Sequence, residues 1–339
     1  MRTLKKIFAL LVVFVLACNV IACSSNNTAN TSNQTVEENA NVADENEETV
    51  ETTTDKVYKI GTLQLVQHAA LDNSYQGFVD YLTEKGIKFV MDYQNASGEQ
   101  SACETIAEKF SNDDLDLCYA IATPAAQSVM AHLETTPIIA SAVTDPEGSG
   151  LCKNNNNPGG NLTAASDLTP VDAQFDLLVE LVPDAKEVGI LFCSAEANSK
   201  IQSDMAIESA KKRGLNATEY TVVNSADIQT VVESMVGKVD VIYVPTDNVI
   251  AAGFDTVATL CLENKIPTIV GEESMVDKGG YATYGINYYE LGKLAGKLAE
   301  RILVNGENPG SIPVAYLEAA SCERKINVDT AKALGLKEE

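Results

Sequence analysis

Apolar residues fall in short continuous runs separated by stretches with helical spacing, and the two alternate along most of the chain. The runs over 57–64, 87–91, 115–121 and 137–140 are too short for buried helices and rich in β-branched and aromatic residues, so they predict strands. Between them, 71–84 puts Phe78, Tyr81 and Leu82 on one side of a helix, and 101–110 and 124–133 repeat the helical period. A second series follows, with helices predicted over 171–181, 195–213, 228–236 and 249–263 and strands over 187–192, 217–223, 239–244 and 267–270. A strand over 281–285, a helix over 289–303, a strand over 312–317 and a helix over 329–334 close the pattern. Strands that are apolar along their whole length and alternate with helices belong to parallel sheets covered on both faces. The prediction is an α/β protein of two Rossmann-like parallel-sheet lobes joined by a hinge with several crossings. The Asn-, Gly- and Pro-rich stretch over 145–162 reads as a crossover, which assigns 57–144 with 286–310 to the first lobe and 145–285 with 311–339 to the second.

The first residues follow a different pattern. Arg2, Lys5 and Lys6 precede an apolar run over 7–17, shorter than the about 20 residues a spanning helix needs, so 1–22 reads as a signal peptide. Val20-Ile-Ala-Cys23, followed by Ser24 and Ser25, resembles a bacterial lipobox, in which the cysteine sulfur takes a diacylglycerol. Val15-Leu-Ala-Cys18 fits the same pattern, and simple secretion is a further alternative. Cys23 is preferred because a polar tract follows it at once. Residues 23–56 then form the lipid anchor and an acidic linker whose composition cannot repay the entropy of ordering. Such a tether spans on the order of 30 Å.

Composition narrows the function. The 339 residues suit about two domains, and 45% hydrophobic residues suffice for buried cores. Acids number 48 against 24 bases, a net charge of -24, and only eight of those acids precede residue 57, so the folded body is itself acidic. Phosphates repel such a surface, which excludes nucleic acid as a partner. No G-x-G-x-x-G, P-loop, G-x-S-x-G or H-E-x-x-H occurs, and His68 and His132 are the two histidines, so neither a cofactor, nor a metal, nor a Ser-His-Asp site is expected. Cys103, Cys118, Cys152, Cys193, Cys261 and Cys322 are scattered without a C-x-x-C pair and read as buried free thiols. Tryptophan is absent.

The candidate chemistry lies just after strands, where open α/β sheets place ligands. His68 and Leu71 follow the first strand. Thr123 is read as the N-cap of a helix with Pro124 at its first position, which would turn the Ala125 and Ala126 amides into the cleft to favour an anion. Thr144, Asp145, Ser166 and Asp167 lie where the chain is predicted to change lobe, as ligand or hinge groups. In the second lobe three strand ends carry Glu196 with Asn198, Asp247 with Asn248, and Glu272 with Glu273. Converging carboxylates suit an ammonium ion; they also suit acid–base catalysis, and helix-start acids are favoured by the helix dipole alone.

Gln67-His-Ala-Ala-Leu-Asp72, Ala120-Ile-Ala-Thr-Pro-Ala-Ala-Gln127, Ser141-Ala-Val-Thr-Asp-Pro146, Tyr243-Val-Pro-Thr-Asp-Asn248 and Tyr281-Ala-Thr-Tyr-Gly285 with Tyr288-Tyr-Glu-Leu-Gly292 together resemble the substrate-binding lipoproteins of ABC transporters that include tryptophan- and tyrosine-binding members. The resemblance implies a type I periplasmic-binding-protein fold and a monomer, not an enzyme. It implies a protein held outside the cell membrane by its lipid, which captures a small amino acid, often aromatic, and delivers it to a membrane permease. Under this resemblance Thr123 and the Ala125 and Ala126 amides would bind the α-carboxylate. Asp247 with Glu196 or Glu273 would bind the ammonium, and His68, Leu71 and Tyr284 would border the side chain. Another solute (a branched amino acid, nucleoside or sugar), a sensory role, and an enzyme using Glu196, Asp247 and Glu273 are the alternatives.

Overall fold

The computed structural model describes residues 56–318 and 321–339; the predicted signal peptide, Cys18, Cys23 and the linker up to residue 55 lie outside them. The first series of elements is β1 (Tyr58–Gln64), α1 (Ala69–Glu84), β2 (Phe89–Asn95), α2 (Gln100–Asn112), β3 (Leu117–Ile121), α3 (Thr123–His132), β4 (Ile138–Ser141) and β5 (Leu162–Ser166). The second is α4 (Val171–Leu181), β6 (Glu187–Cys193), α5 (Ala197–Lys212), β7 (Asn216–Val222), α6 (Ile228–Met235), β8 (Val241–Val244), α7 (Asn248–Ala252), α8 (Phe254–Glu263), β9 (Thr268–Val270), α9 (Glu273–Asp277) and β10 (Ala282–Gly285). Then come α10 (Tyr288–Leu303), β11 (Ala315–Tyr316), β12 (Glu323–Ile326) and α11 (Val328–Leu334).

These strands form two sheets of six, in the orders β2-β1-β3-β4-β5-β11 and β7-β6-β8-β9-β10-β12. All pairs are parallel except β10 with β12. Central strands such as β3 are buried at every residue because helices cover both faces, whereas the edge strand β2 is only half-buried. The two-lobed α/β architecture is the one the apolar pattern predicts.

The lobe boundary differs from that prediction. The chain enters the second lobe after Ser166, not at residue 145, because Leu162–Ser166 returns to pair with β4 in the first sheet. The loop before it is rich in turn residues but stays on the first lobe, where Val314 N donates to Asn155 O at 2.8 Å. Likewise β11 pairs with β5, so the chain around 315 belongs to the first lobe and returns to the second only with β12.

Helix α10 carries the chain back onto the first lobe and lies against α1. The contact is backbone to backbone. A Cβ on Gly77 would lie 2.0 Å from Tyr289 O, and one on Gly292 would lie 2.0 Å from Ser74 O. Glycine is needed here for close approach, not for an unusual φ. The same contact seats Tyr288, the first residue of α10, beside the hinge. Of the described cysteines, Cys103, Cys118, Cys193 and Cys261 are buried free thiols, while Cys152 and Cys322 are free and half-buried.

Candidate functional site

Each sheet reverses its strand order once, between β1 and β3 in the first lobe and between β6 and β8 in the second. Ligands of open α/β sheets bind outside the carboxyl ends of strands at such points. The turn after β1 carries His68, the turn after β6 Glu196, the turn after β8 Asp247, and the turn after β9 Glu272. A small inner cavity is lined by His68 and Leu71 from the first lobe, Tyr288 and Asp167 beside the hinge, and Thr246, Asp247, Asn248 and Glu272 from the second lobe.

The polar groups here are mostly acceptors. Asp167 takes hydrogen bonds from Thr144 Oγ1 at 3.0 Å and Tyr288 OH at 2.8 Å, and burial pushes its carboxyl up to about 6. One Glu272 oxygen accepts from the Ser274 hydroxyl; the other, Oε2, is buried without a partner. Burial pushes Glu272 up to about 7. His68 is buried, its Nε2 lies 3.3 Å from Asn248 Oδ1 in the facing lobe, and its Nδ1 has no partner. Burial lowers its pKa to about 4, so the ring is neutral. A buried polar atom without a partner costs about 1–3 kcal/mol, and two of the residues lining this cavity, His68 and Glu272, carry one each.

The other predicted carboxylates are engaged elsewhere. Asp247 Oδ2 accepts from Cys193 N at 2.6 Å and Oδ1 from Ile250 N at 2.8 Å, so it caps α7 and ties it to β6. Glu196 accepts from Val249 N at 3.0 Å, Asn248 Nδ2 at 2.5 Å and Asn198 Nδ2 at 3.2 Å. Burial and the nearby Asp247 raise its pKa, while those N–H groups oppose the rise. Glu273 is not in the inner cavity: it faces Lys325 at 3.8 Å and lines a separate space with Ala69 and Asn287. Its neighbour Glu272 faces the inner cavity instead, because adjacent residues at a strand-to-helix turn point apart. Tyr284 also lies away from it, in a groove with Leu168 and Tyr316; the tyrosine at the cavity is Tyr288.

At α3 the N-cap is Ala122, with φ 86°, and Thr123 is the first helical residue. Such a φ on a non-glycine residue costs on the order of 1–3 kcal/mol and is typical of functional turns. Thr123 Oγ1 is buried and unpartnered. The Ala126 N–H bonds Ala122 O at 3.0 Å and is therefore unavailable to a ligand, whereas Ala125 N–H precedes that first intrahelical bond. Beside the lobe boundary, Ser166 Oγ donates to Thr144 O at 2.7 Å, and Gln202 Nε2 reaches Thr144 Oγ1 at 3.1 Å from the second lobe. Asp145 faces the first-lobe loop, accepting from Asn155 Nδ2 at 2.9 Å. A larger space opens between the same lobes, with Leu65, Val66 and Pro124 on one side and Glu196, Val223 and Val249 on the other.

The ABC transporter substrate binding protein family matches residues 59–339. The chain belongs to this family. The binding protein is 39% identical over 337 residues to the tyrosine-binding protein of Clostridioides difficile, which covers 98% of this chain and 93% of that one. A Streptococcus pneumonia ABC domain in complex with L-Trp is 36% identical, covers 84% of this chain and 96% of that one, and superposes with a TM-score of 0.81. The ligand-free, open structure of a Clostridium difficile substrate binding protein with adhesive properties is 40% identical over the same shares of the two chains, yet its TM-score is 0.64. The lobes of the binding protein are closed on one another here: His68 Nε2 lies 3.3 Å from Asn248 Oδ1, and Gln202 Nε2 lies 3.1 Å from Thr144 Oγ1. Its fold is the type I periplasmic-binding-protein fold. Among the described residues no helix is long and apolar enough to cross a membrane.

Closure should depend on pH. Asp167 and Glu272 have raised pKa values in the closed form, so their contribution is full below the ordinary carboxylate range and is lost as pH rises through about 6 and about 7. Tyr288 and Glu272 face Asp167, and Lys278 and Asp277 face Glu272. The depressed His68 acts oppositely, but mainly below its ordinary value of 6.5. Small-angle scattering of the ligand-free binding protein is therefore expected to give a larger radius of gyration at pH 8 than at pH 6.5.

Proposed function

We propose that this binding protein captures a free aromatic amino acid, tyrosine or tryptophan, between its lobes and delivers it to the permease of an ABC importer. It does so while held outside the cell membrane by lipid on Cys23, with Cys18 as the alternative anchor. The observation that carries the reading is the inner cavity, whose unpartnered Glu272 Oε2 stands with Asp167 where an ammonium ion would supply donors. The ammonium site thus moves from the predicted Asp247 with Glu196 or Glu273 to Glu272 and Asp167. The buried, unpartnered Thr123 hydroxyl and the amides before the first bond of α3 suit the α-carboxylate. The larger space between the lobes has Leu65, Val66, Pro124, Val223 and Val249 in its lining, on which an aromatic ring could pack. The tyrosine-binding relative and the L-Trp complex support this ligand class.

The absence of tryptophan from the chain makes the test clean. Titrating L-tryptophan into the purified protein is expected to shift the ligand's own emission to the blue as the cleft buries it. An unshifted emission, with L-tyrosine also failing to raise the thermal midpoint while a nucleoside or sugar does, would overturn the reading.

A further inference from the structure

We propose that His68 Nδ1 is a third acceptor for the ligand's ammonium, held in that role from across the cleft by Asn248 and Glu196. This rests on the reading that an amino acid occupies the inner cavity. The relay starts at Glu196, whose carboxyl is surrounded by N–H groups: the backbone amides of Asn248 and Val249, at 3.3 and 3.0 Å, and Asn198 Nδ2 at 3.2 Å. The part of the Asn248 side chain that faces Glu196 is accordingly its NH2 group, at 2.5 Å. That fixes the amide orientation and turns Asn248 Oδ1, an acceptor, toward His68 Nε2 at 3.3 Å. Nε2 must then carry the ring proton. A neutral imidazole with its proton on Nε2 has a bare lone pair on Nδ1, and Nδ1 is the buried, unpartnered atom.

Three residues with acceptor groups line one cavity, Asp167, Glu272 and His68, and two of their acceptor atoms, Glu272 Oε2 and His68 Nδ1, have no partner. A primary ammonium has three N–H donors. The set matches an unsubstituted α-amino group and disfavours a secondary amine, which has one donor fewer. Asn248 and Glu196 stand on the second lobe and His68 on the first, so the acceptor tautomer is imposed only when the lobes meet. Amine recognition and closure thereby become one event.

The experiment uses the full chain with L-tyrosine and N-methyl-L-tyrosine. In 15N-histidine spectra of the L-tyrosine complex, where His132 is the one other histidine, His68 is expected to show a protonated Nε2 and an unprotonated Nδ1. By calorimetry, N-methylation is expected to weaken binding to the wild type by roughly tenfold or more, and to His68→Ala by less than about twofold. A protonated Nδ1 in the complex, or an equal N-methyl penalty in both proteins, would overturn the proposal while leaving the amino-acid reading intact. Failure of L-tyrosine and L-tryptophan to bind the wild type would overturn both.

Discussion

Glu272→Gln is expected to weaken binding of the aromatic amino acid by about ten- to hundredfold while raising the thermal stability of the ligand-free protein. The two effects have one cause. Glu272 is 2% exposed and one of its oxygens has no hydrogen-bond donor. Without ligand, ionising that carboxyl is costly, which is why burial pushes it up to about 7. An ammonium ion supplies both charge and donor, and a hydrogen bond between charged groups is worth about 1.5–3 kcal/mol, or roughly ten- to hundredfold in Kd. Glutamine keeps the shape but removes the charge that burial makes costly. Calorimetry and thermal unfolding of the same preparation check both halves. Weaker binding together with lower stability would mean that Glu272 is merely structural.

Gly292→Val is expected to cost about 3 kcal/mol or more and to lower the thermal midpoint by roughly 10 °C. Overpacking ordinarily costs about 1–3 kcal/mol because side chains can shift, and a protein of this size loses about 2–4 °C per kcal/mol. Here the first contact is a backbone carbonyl, Ser74 O at 2.0 Å, so α1 and α10 must separate. Ser74 also hydrogen-bonds Tyr119 and Ser141 in the core, at 3.0 and 2.9 Å, and that network would move with it. The displacement should reach the site, because α10 begins at Tyr288, whose hydroxyl donates to Asp167. Thermal unfolding measures the first effect; a weakened affinity for L-tyrosine measures the second.

The apolar pattern was enough to read the two sheets, because strands buried on both faces are apolar throughout and their helices carry a regular stripe. Four of the residues it singled out, His68, Thr123, Glu196 and Asp247, follow strands that flank the switch points. Which side chain at each end faces the cavity was not legible. Glu272 and Glu273 are adjacent acids of one type, and only the path of the chain into α9 separates the cavity wall from a pair with Lys325. Asp247 and Glu196 read as free carboxylates until the amides around them are placed. The return of the 145–162 segment to the first sheet was hidden for a similar reason. Turn residues reveal that a segment is irregular, not which lobe it rejoins. Tyr288 could have been found from its place at the start of an amphipathic helix, yet its bond to Asp167 joins residues 121 positions apart.

A crystal structure of the protein with L-tyrosine bound tests the site most directly. The α-nitrogen is expected within hydrogen-bond distance of Glu272 Oε2 and Asp167, with the carboxylate at Thr123 and the ring in the larger space between the lobes. An α-nitrogen held by Asp247 and Glu196, or a ligand bound outside the cleft, would contradict it.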